Sequence, residues 1–582
     1  VDQFIKKLDP TKIYLLKSDV AQIKKEMRDI FTKTNMKDCS PIIKAHKLYT
    51  KRVGDRVKFA KKYLGSKFKF KKDTSFVFDP DMRKAPVTQA QANNFLKKYI
   101  QFQVSNYLAT DMKLSEAKKN VIKSYGRVLR RVKEFKRTDL WSLYLDAFAK
   151  SLDPHSSYLS ADQLEDFEIQ MRLSLEGIGA TLSSKDGFTT IEQLIPGGAA
   201  ERSGQLKPKD KIVAVAQGEK GKAENVIEMD LRDVVRKIRG KKGTKVRLSI
   251  LRKAGKGNKR FDVVLARDKI KLEDEAAAIY YFDREVNGVK KKIGLLNLPS
   301  FYADSRKKGR SATKDLAKLI KEAKAKHVDG MILDLSTNGG GSLDDAVKIA
   351  GLFFKTGNVV KQSSRDPSRG QIALADTDPD VQWSGPLLVL TSRISASASE
   401  IVSGTLKDYK RAIVVGGDHT FGKGSVQSVE PLPPGLGALK TTVGMFFTAG
   451  GKSTQHRGVD ADIVFPSAYS VDDIGEKTLD YSLPPKAIQA FTSPEAKVSK
   501  GYKAWNEVKP ELVKKLKRKS KARIKADEDF QKLLKDIAKS KKRGKVIKVS
   551  EGMDKDKDDK ENKEGSELAV SEQRKDEDAG LS

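Results

Sequence analysis

One stretch constrains this chain more than any other: P-L-L-V-L-T-S-R-I-S-A-S-A-S-E-I-V-S-G-T-L-K-D-Y-K-R-A-I-V-V-G-G-D-H-T-F-G-K-G-S-V-Q over 386–427. An apolar strand (387–391) runs into small residues, then an amphipathic helix (398–409), a second apolar strand (412–415) and a glycine-rich turn (416–424). That order is a βαβ unit, whose right-handed crossover sets its two strands parallel. Segments leaving the carboxyl ends of parallel strands emerge at one edge of the sheet, where open α/β folds place their sites. Residues 395–399 and 416–424 therefore meet, although Ser397 and Lys423 are 26 positions apart.

The residue types at that edge suit acyl-transfer chemistry. Ser397 lies at a helix N-terminus, where free N–H groups and the helix dipole can receive an oxyanion. A serine hydroxyl needs a base. A lysine serves once burial and neighbours lower its pKa toward about 7–8, and Ser-Lys is a variant of the serine triad logic. Gly422 and Gly424 let the backbone turn tightly around Lys423. Upstream, D-L-S-T-N-G-G-G-S-L over 334–343 follows another apolar strand, and the 339–341 amides are candidates for a second oxyanion donor. Taken singly, a Ser/Ala-rich helix start is usually a cap and Gly-Lys-Gly usually a turn. Gly417-x4-Gly422-Lys423 also begins like a phosphate-binding loop, but Gly424 stands where the magnesium-binding Ser or Thr belongs. His419 shares the turn, with no evident acid to orient it.

The flanks read as separate units. Residues 1–165 show helical spacing, notably over 19–32, 89–108, 114–134 and 139–151, until L-D-P-H-S-S-Y-L breaks it at 152–159. Over 173–268 the period changes to 2, with strands at 179–183, 189–194, 211–216, 245–251 and 260–266 and one helix at 231–239. Over 269–470 strands at 292–298, 330–335, 387–391 and 412–415 alternate with helices at 312–326, 344–354 and 398–409, which predicts a parallel sheet. A basic helical region fills 471–548. The K/D/E/S-rich tail, 549–582, has too few apolar residues to order itself. The whole is a multidomain α+β chain.

Composition narrows the partners. The formal charge of +37 raises polyanions as partners, yet lysine is spread through every region, which favours a solvated surface. No nucleic-acid motif accompanies it, so no nucleic acid is expected. Cys39 is the only cysteine and the five histidines stand singly, so neither a disulfide nor a Cys- or H-E-x-x-H-type metal site is expected, and no cofactor. No apolar run reaches the roughly 18 residues of a transmembrane segment. The chain starts at Val1 rather than Met, as a chain trimmed of a targeting segment would.

Together, S-A-S-A-S-E over 395–400, T-F-G-K-G-S-V-Q over 420–427 and D-L-S-T-N-G-G-G-S-L over 334–343 resemble the carboxyl-terminal processing, or tail-specific, serine proteases. L-S-L-E-G-I-G-A over 173–180 resembles the carboxylate-binding loop that opens the PDZ domain in this family. L-D-P-H-S-S-Y-L over 152–159 and G-K-S-T-Q-H-R-G-V-D over 451–460 are similar to further family stretches. A-R-I-K-A-D-E-D-F-Q-K-L-L over 522–534 extends the likeness toward the larger Gram-negative periplasmic type.

The resemblance implies a helical N-terminal domain, a PDZ-like β module, an α/β protease core and a helical C-terminal region. It implies a serine endopeptidase with Ser397 as nucleophile, Lys423 as base, Gln427 orienting the lysine and Asp408 at an acidic position associated with the site. Asp408 lies 11 residues beyond Ser397, about 16 Å along a helix at about 1.5 Å per residue, so a structural role at the helix end is at least as consistent. Ala398, Gly340 and Gly341 are the implied oxyanion donors, and Glu400 and Thr420 match characteristic positions. Loop 176–179 (Glu176, Gly177, Ile178, Gly179) would catch a terminal carboxylate, with Leu182, Val234, Val235 and Ile238 as pocket or ordinary core. The turn 416–423 is one residue longer than usual in the family. The implied partners are polypeptides recognised through unstructured apolar C-termini and an adaptor protein. The implied location is periplasmic, where the positive charge fits contact with anionic envelope surfaces.

Overall fold

Runs that are apolar on both faces form the central strands, because only a sheet covered on both sides buries both sets of side chains. In the computed structural model, which describes residues 1–549 apart from 256, 305, 307–308, 365–367, 369, 499–500, 502–503 and 544–545, such runs form the centre of a row of five strands. Their order is Val289–Asn297, Gly330–Asp334, Leu387–Thr391, Ile413–Gly416 and Ile463–Val464, all parallel. Ala278–Val286 pairs antiparallel at one edge. Leu333, Val389 and Val414 in its middle are fully buried. Helices Ala312–Ala325, Leu343–Gly351 and Ala398–Asp408 pack with it into one core. The parallel sheet expected from alternation is therefore present, and the strand before the triple glycine does neighbour the strand before Ser397.

A second sheet carries no comparable sequence signal. Gln371–Asp376, Gly357–Ser364, Ala438–Thr448 and Ser425–Pro431 pair antiparallel, and Ser157–Leu159 joins Ala438–Thr448. Helix Ala398–Asp408 lies between the two sheets, and every residue from Ala398 to Leu406 is buried. The turn that bears Lys423 feeds directly into Ser425–Pro431, so Lys423 is anchored at the start of the second sheet.

The β module has strand order Ala180–Lys185, Phe188–Leu194, Lys211–Gln217, Lys245–Ala254, Gly257–Ala266 and a helix, Leu231–Ile238, beside the first and third strands. Its entry and exit, Ser174–Gly177 and Asp268–Lys271, pair antiparallel and tie its two ends together. The N-terminal region is helical, with Ser40–Tyr63, Gln89–Leu108 and Leu114–Lys133 packed around Leu96, Ile100, Val104 and Val121. The single helix expected over 19–32 is two, Lys17–Glu26 and Ile30–Asn35, separated by a tight turn in which Arg28 N donates to Lys25 O.

The C-terminal region contains the helices Pro510–Ala526 and Glu528–Arg543. Residues 471–498, with Pro484, Pro485 and Pro494, form turns and two short 3-10 segments, since proline removes helix donors. Val546–Lys548 is a strand rather than helix. It pairs antiparallel with Ser75–Val77 of the N-terminal region, and Val549 beyond it is buried with its N–H on Thr74 O. The remainder of the tail expected to be disordered lies outside the described residues. Among the described residues no helix is long and apolar enough to cross a membrane.

Candidate active site

Ser397 occupies a sharp strand-to-helix turn, with φ +56° and ψ −112° at the N-cap of Ala398–Asp408. A non-glycine residue there is strained, and such strain gathers where a side chain must be presented. The flanking serines are committed to structure. Ser395 Oγ donates to Leu335 O at 2.7 Å and accepts from Ser392 N, and Ser399 Oγ donates to Asn338 O at 2.9 Å. Both are fully buried, whereas Ser397 is part-exposed. Of the serines in S-A-S-A-S, only Ser397 is open to solvent.

The 416–424 turn crosses to this point as the topology requires. Phe421 N donates to Ser395 O at 2.9 Å. The fully buried Glu400 carboxylate gathers four donors from both segments: Ser397 N (2.7 Å), Thr420 Oγ1 (2.6 Å), Gly422 N (2.7 Å) and Lys423 N (2.9 Å). Burial pushes its pKa up to about 7 against the pull of those donors. Gly422 has φ +94°, and a Cβ on Gly424 would lie 2.5 Å from Ser453 Oγ, so both glycines are demanded by geometry. In the same turn Asp418 pairs with Arg393 (2.6 Å), and the His419 ring bonds Thr420 O (2.6 Å).

Lys423 Nζ donates to Gln427 Oε1 at 2.7 Å and to Ser425 O at 3.0 Å. Burial, and then the neighbouring Lys440 cation, lower its pKa to about 8, with Glu476, Glu400 and Asp153 pulling the other way. The structure joins Lys423 to Gln427, and it does not join Lys423 Nζ to Ser397 Oγ by a hydrogen bond.

The triple-glycine turn packs against the serine. Gly340 (φ +107°) approaches so closely that a Cβ would sit 2.9 Å from Ser397 Cβ. The Gly340 N–H donates to Asn338 Oδ1 at 2.8 Å. Gly341 (φ +144°) follows it in the same turn. Asn338, fully buried, also bonds Leu298 O through Nδ2 (2.8 Å) and accepts from Ala396 N and Ser399 Oγ through its backbone oxygen. Asp408 is not brought to Ser397. It ends the helix and accepts Gly450 N at 2.7 Å.

In the β module, Ile178, Val234 and Ile238 are buried in its core, while Leu182 and Val235 are part-exposed. Glu176 and Gly177 belong to the strand paired with Asp268–Lys271. Gly179 (φ +76°) packs on Gly198, where a Cβ would meet Gly198 Cα at 2.8 Å. Ile178 O and Gly179 O accept from Ala200 N and Ile195 N, which pins the loop.

Comparison with known proteins fits this arrangement region by region. Peptidase family S41 matches residues 292–465, the tail specific protease N-terminal domain 1–162, the PDZ domain 166–251, and the C-terminal domain of tail specific protease 469–580. The chain is 37% identical over 490 residues to the tail-specific protease of Haemophilus influenzae, covering 83% of this chain and 68% of that protein. It is 32% identical over 311 residues to the carboxy-terminal processing protease CtpA of Bacillus subtilis, covering 53% and 60%. Among solved structures, the peptide-bound PDZ domain of a Vibrio cholerae carboxy-terminal protease is 44% identical, covering 17% of this chain and 100% of that one, with TM-score 0.17. The photosystem II D1 C-terminal processing protease is 20% identical, covering 66% and 99%, with TM-score 0.34. The chain thus belongs to the tail-specific proteases, serine peptidases of family S41.

Proposed function

We propose that this protease cleaves polypeptides recognised through unstructured apolar C-termini, with Ser397 as nucleophile and Lys423 as general base. The observation that carries the reading is the pair of acceptors on Lys423. A neutral amine has two N–H bonds and one lone pair. Gln427 Oε1 and Ser425 O take the two N–H bonds, which leaves the lone pair free to accept the Ser397 proton. The lowered pKa supplies that neutral form near physiological pH. Contacts of this kind are often long without substrate and tighten when it binds, and Glu400 holds the backbones of both residues for that approach.

In the reaction, Lys423 takes the hydroxyl proton as Ser397 Oγ attacks the scissile carbonyl. The oxyanion develops against the Ala398 N–H and an amide of the glycine turn, with Gly341 favoured over Gly340 because the Gly340 N–H is bonded to Asn338 Oδ1. The lysine ammonium then returns its proton to the leaving amine, and a water activated by the same lysine hydrolyses the acyl-enzyme. Substrate tails would add to strand Ala180–Lys185 beside helix Leu231–Ile238, with the carboxylate at 176–179 and Leu182 and Val235 as the accessible apolar contacts. The periplasm is the compartment this reading carries, and cell fractionation tests it.

Ser397→Ala and Lys423→Ala are assayed on an unfolded protein ending in small apolar residues, with mass-spectrometric mapping of the cuts. Loss of cleavage in both, and weaker capture of the same tail with an amidated end, are expected. Full activity in either variant overturns the dyad.

A further inference from the structure

The turn that precedes strand Ser157–Leu159, residues 152–156, reaches into the site. Asp153 is buried at 5% exposure. Its Oδ1 accepts from Thr442 Oγ1 at 2.8 Å and from the amides of His155 and Ser156, each at 2.9 Å, and its Oδ2 accepts from Ser156 Oγ. Ser156 Oγ in turn accepts Thr442 N at 3.0 Å. Thr442 stands opposite Gln427 across the antiparallel pair of the second sheet, and Gln427 Nε2 donates to Thr442 Oγ1 at 3.1 Å and to Ser425 Oγ at 2.9 Å. A continuous chain of hydrogen bonds thus runs Asp153, Thr442, Gln427, Lys423.

We propose that Asp153 and Thr442 are positioning residues for the dyad: they fix which way the Gln427 amide faces, and through it the direction of the Lys423 lone pair. This rests on the dyad reading above and names the residues that enforce it.

The argument is one of polarity. An ionised carboxylate only accepts hydrogen bonds. Burial works against ionisation of Asp153, but the Ser156 and Thr442 hydroxyls and the two amides outweigh it and hold its pKa below the ordinary value. Thr442 must therefore spend its one proton on Asp153 and can only accept from Gln427. The Gln427 amino group is drawn to Thr442, and its carbonyl oxygen is left for Lys423. Without the anion, the Thr442 hydroxyl can rotate and donate to Gln427. The amide then turns over and presents N–H to the lysine, where it occupies the lone pair that should take the serine proton.

The charged groups facing Lys423 are Lys440 from the adjoining strand, Glu476 from the turn at Glu476–Thr478, Glu400 from the helix and Asp153 itself. Thr442→Val leaves all four in place but removes the acceptor that draws the Gln427 amino group, so the amide, held through Nε2 by Ser425 Oγ alone, is free to turn its oxygen away from Lys423. Losing the Gln427 acceptor disfavours the ammonium, so the lysine titrates lower. Asp153→Asn removes both the polarity and one anion, and acts in the same direction.

The test is the pH profile of the rate at which a serine-directed phosphonate probe labels Ser397, in the full chain, alongside kcat and KM for the tailed substrate. For Thr442→Val and Asp153→Asn, labelling and kcat fall by about tenfold or more, KM is unchanged, and the acid limb moves to lower pH. Thr442→Ser, which keeps the hydroxyl, restores both rate and limb. A folded Thr442→Val with wild-type rate overturns the proposal. So does a reduced rate with an unmoved limb, which is all a structural defect would give. If Asp153→Asn melts early, Thr442→Val and Thr442→Ser decide alone. Labelling that survives Ser397→Ala sinks the dyad itself, whereas labelling lost there but intact in Thr442→Val sinks only the positioning role.

Discussion

Glu400 accepts the backbone N–H of Lys423 at 2.9 Å, from the first turn of the helix that starts behind Ser397. The same carboxylate oxygen accepts the Ser397 N–H at 2.7 Å. The two residues are thus registered through their main chains by one buried side chain, not by a bond between their reactive atoms. Glu400→Gln replaces one accepting oxygen with an amino group that must face a backbone N–H. Each orphaned buried donor costs about 1–3 kcal/mol, so stability falls measurably in urea. kcat falls by about tenfold or more, because small misplacements are expensive in rate. An active, equally stable Glu400→Gln variant would show that the register is held elsewhere.

Lys423 sets the pH dependence on this reading. With its pKa lowered to about 8 by burial and by Lys440, the amine is mostly protonated below that pH and activity rises through it. The acid limb of kcat/KM is expected near pH 8. Lys440→Gln removes the repelling cation, raises the lysine pKa and moves the limb upward. The stability sign follows. The folded lysine loses its proton at about 8 and an unfolded one at 10.5. The unfolded state binds more protons between those values, and this group makes stability rise with pH across that window. A limb that ignores Lys440→Gln removes Lys423 as the titrating base.

Gly340→Ala tests the glycine turn. The added Cβ would lie 2.9 Å from both Ala396 O and Ser397 Cβ, at φ +107°. Strain of about 1–3 kcal/mol and a displaced Ser397 are expected, read as a lower melting temperature and slower probe labelling. Gly339→Ala meets nothing within 4 Å and serves as the control. Equal labelling in both would mean that the turn does not shape the serine's surroundings.

What the sequence made legible follows physical range. The strands Leu387–Thr391 and Ile413–Gly416 announce themselves as apolar runs, and their parallel pairing explains why 395–399 and 416–424 meet. Resemblance singled out Ser397 among its neighbours, and the structure adds the reason: Ser395 and Ser399 spend their hydroxyls on Leu335 O and Asn338 O. The second sheet was invisible because strands such as Gly357–Ser364 are polar over half their length and are held by partners far along the chain. The roles of Asn338, Asp153 and Thr442 were hidden for the same reason. Each acts through a bond across 40 residues or more, and nothing local marks a polar residue as a long-range partner. The motif at 152–159 was visible as a pattern, but its destination beside Gln427 was not.

Asp408 is the position where motif and geometry part. It is the last residue of the helix and accepts Gly450 N at 2.7 Å, and a Cβ on Gly450 would come within 2.6 Å of its carboxylate. Burial raises its pKa while the Gly450 amide and the Thr448 hydroxyl oppose the rise, as expected for a carboxylate that closes a turn. Asp408→Ala leaves the Gly450 N–H without its acceptor, at a cost of about 1–3 kcal/mol. The melting temperature is therefore expected to drop while kcat and the acid limb stay within about twofold of wild type. The two roles separate cleanly, because a catalytic acid eleven residues from the serine would have to act over about 16 Å. A fall in kcat of a hundredfold with unchanged stability would return Asp408 to the chemistry, and would mean that the helix transmits its charge to Ser397 instead of merely ending there.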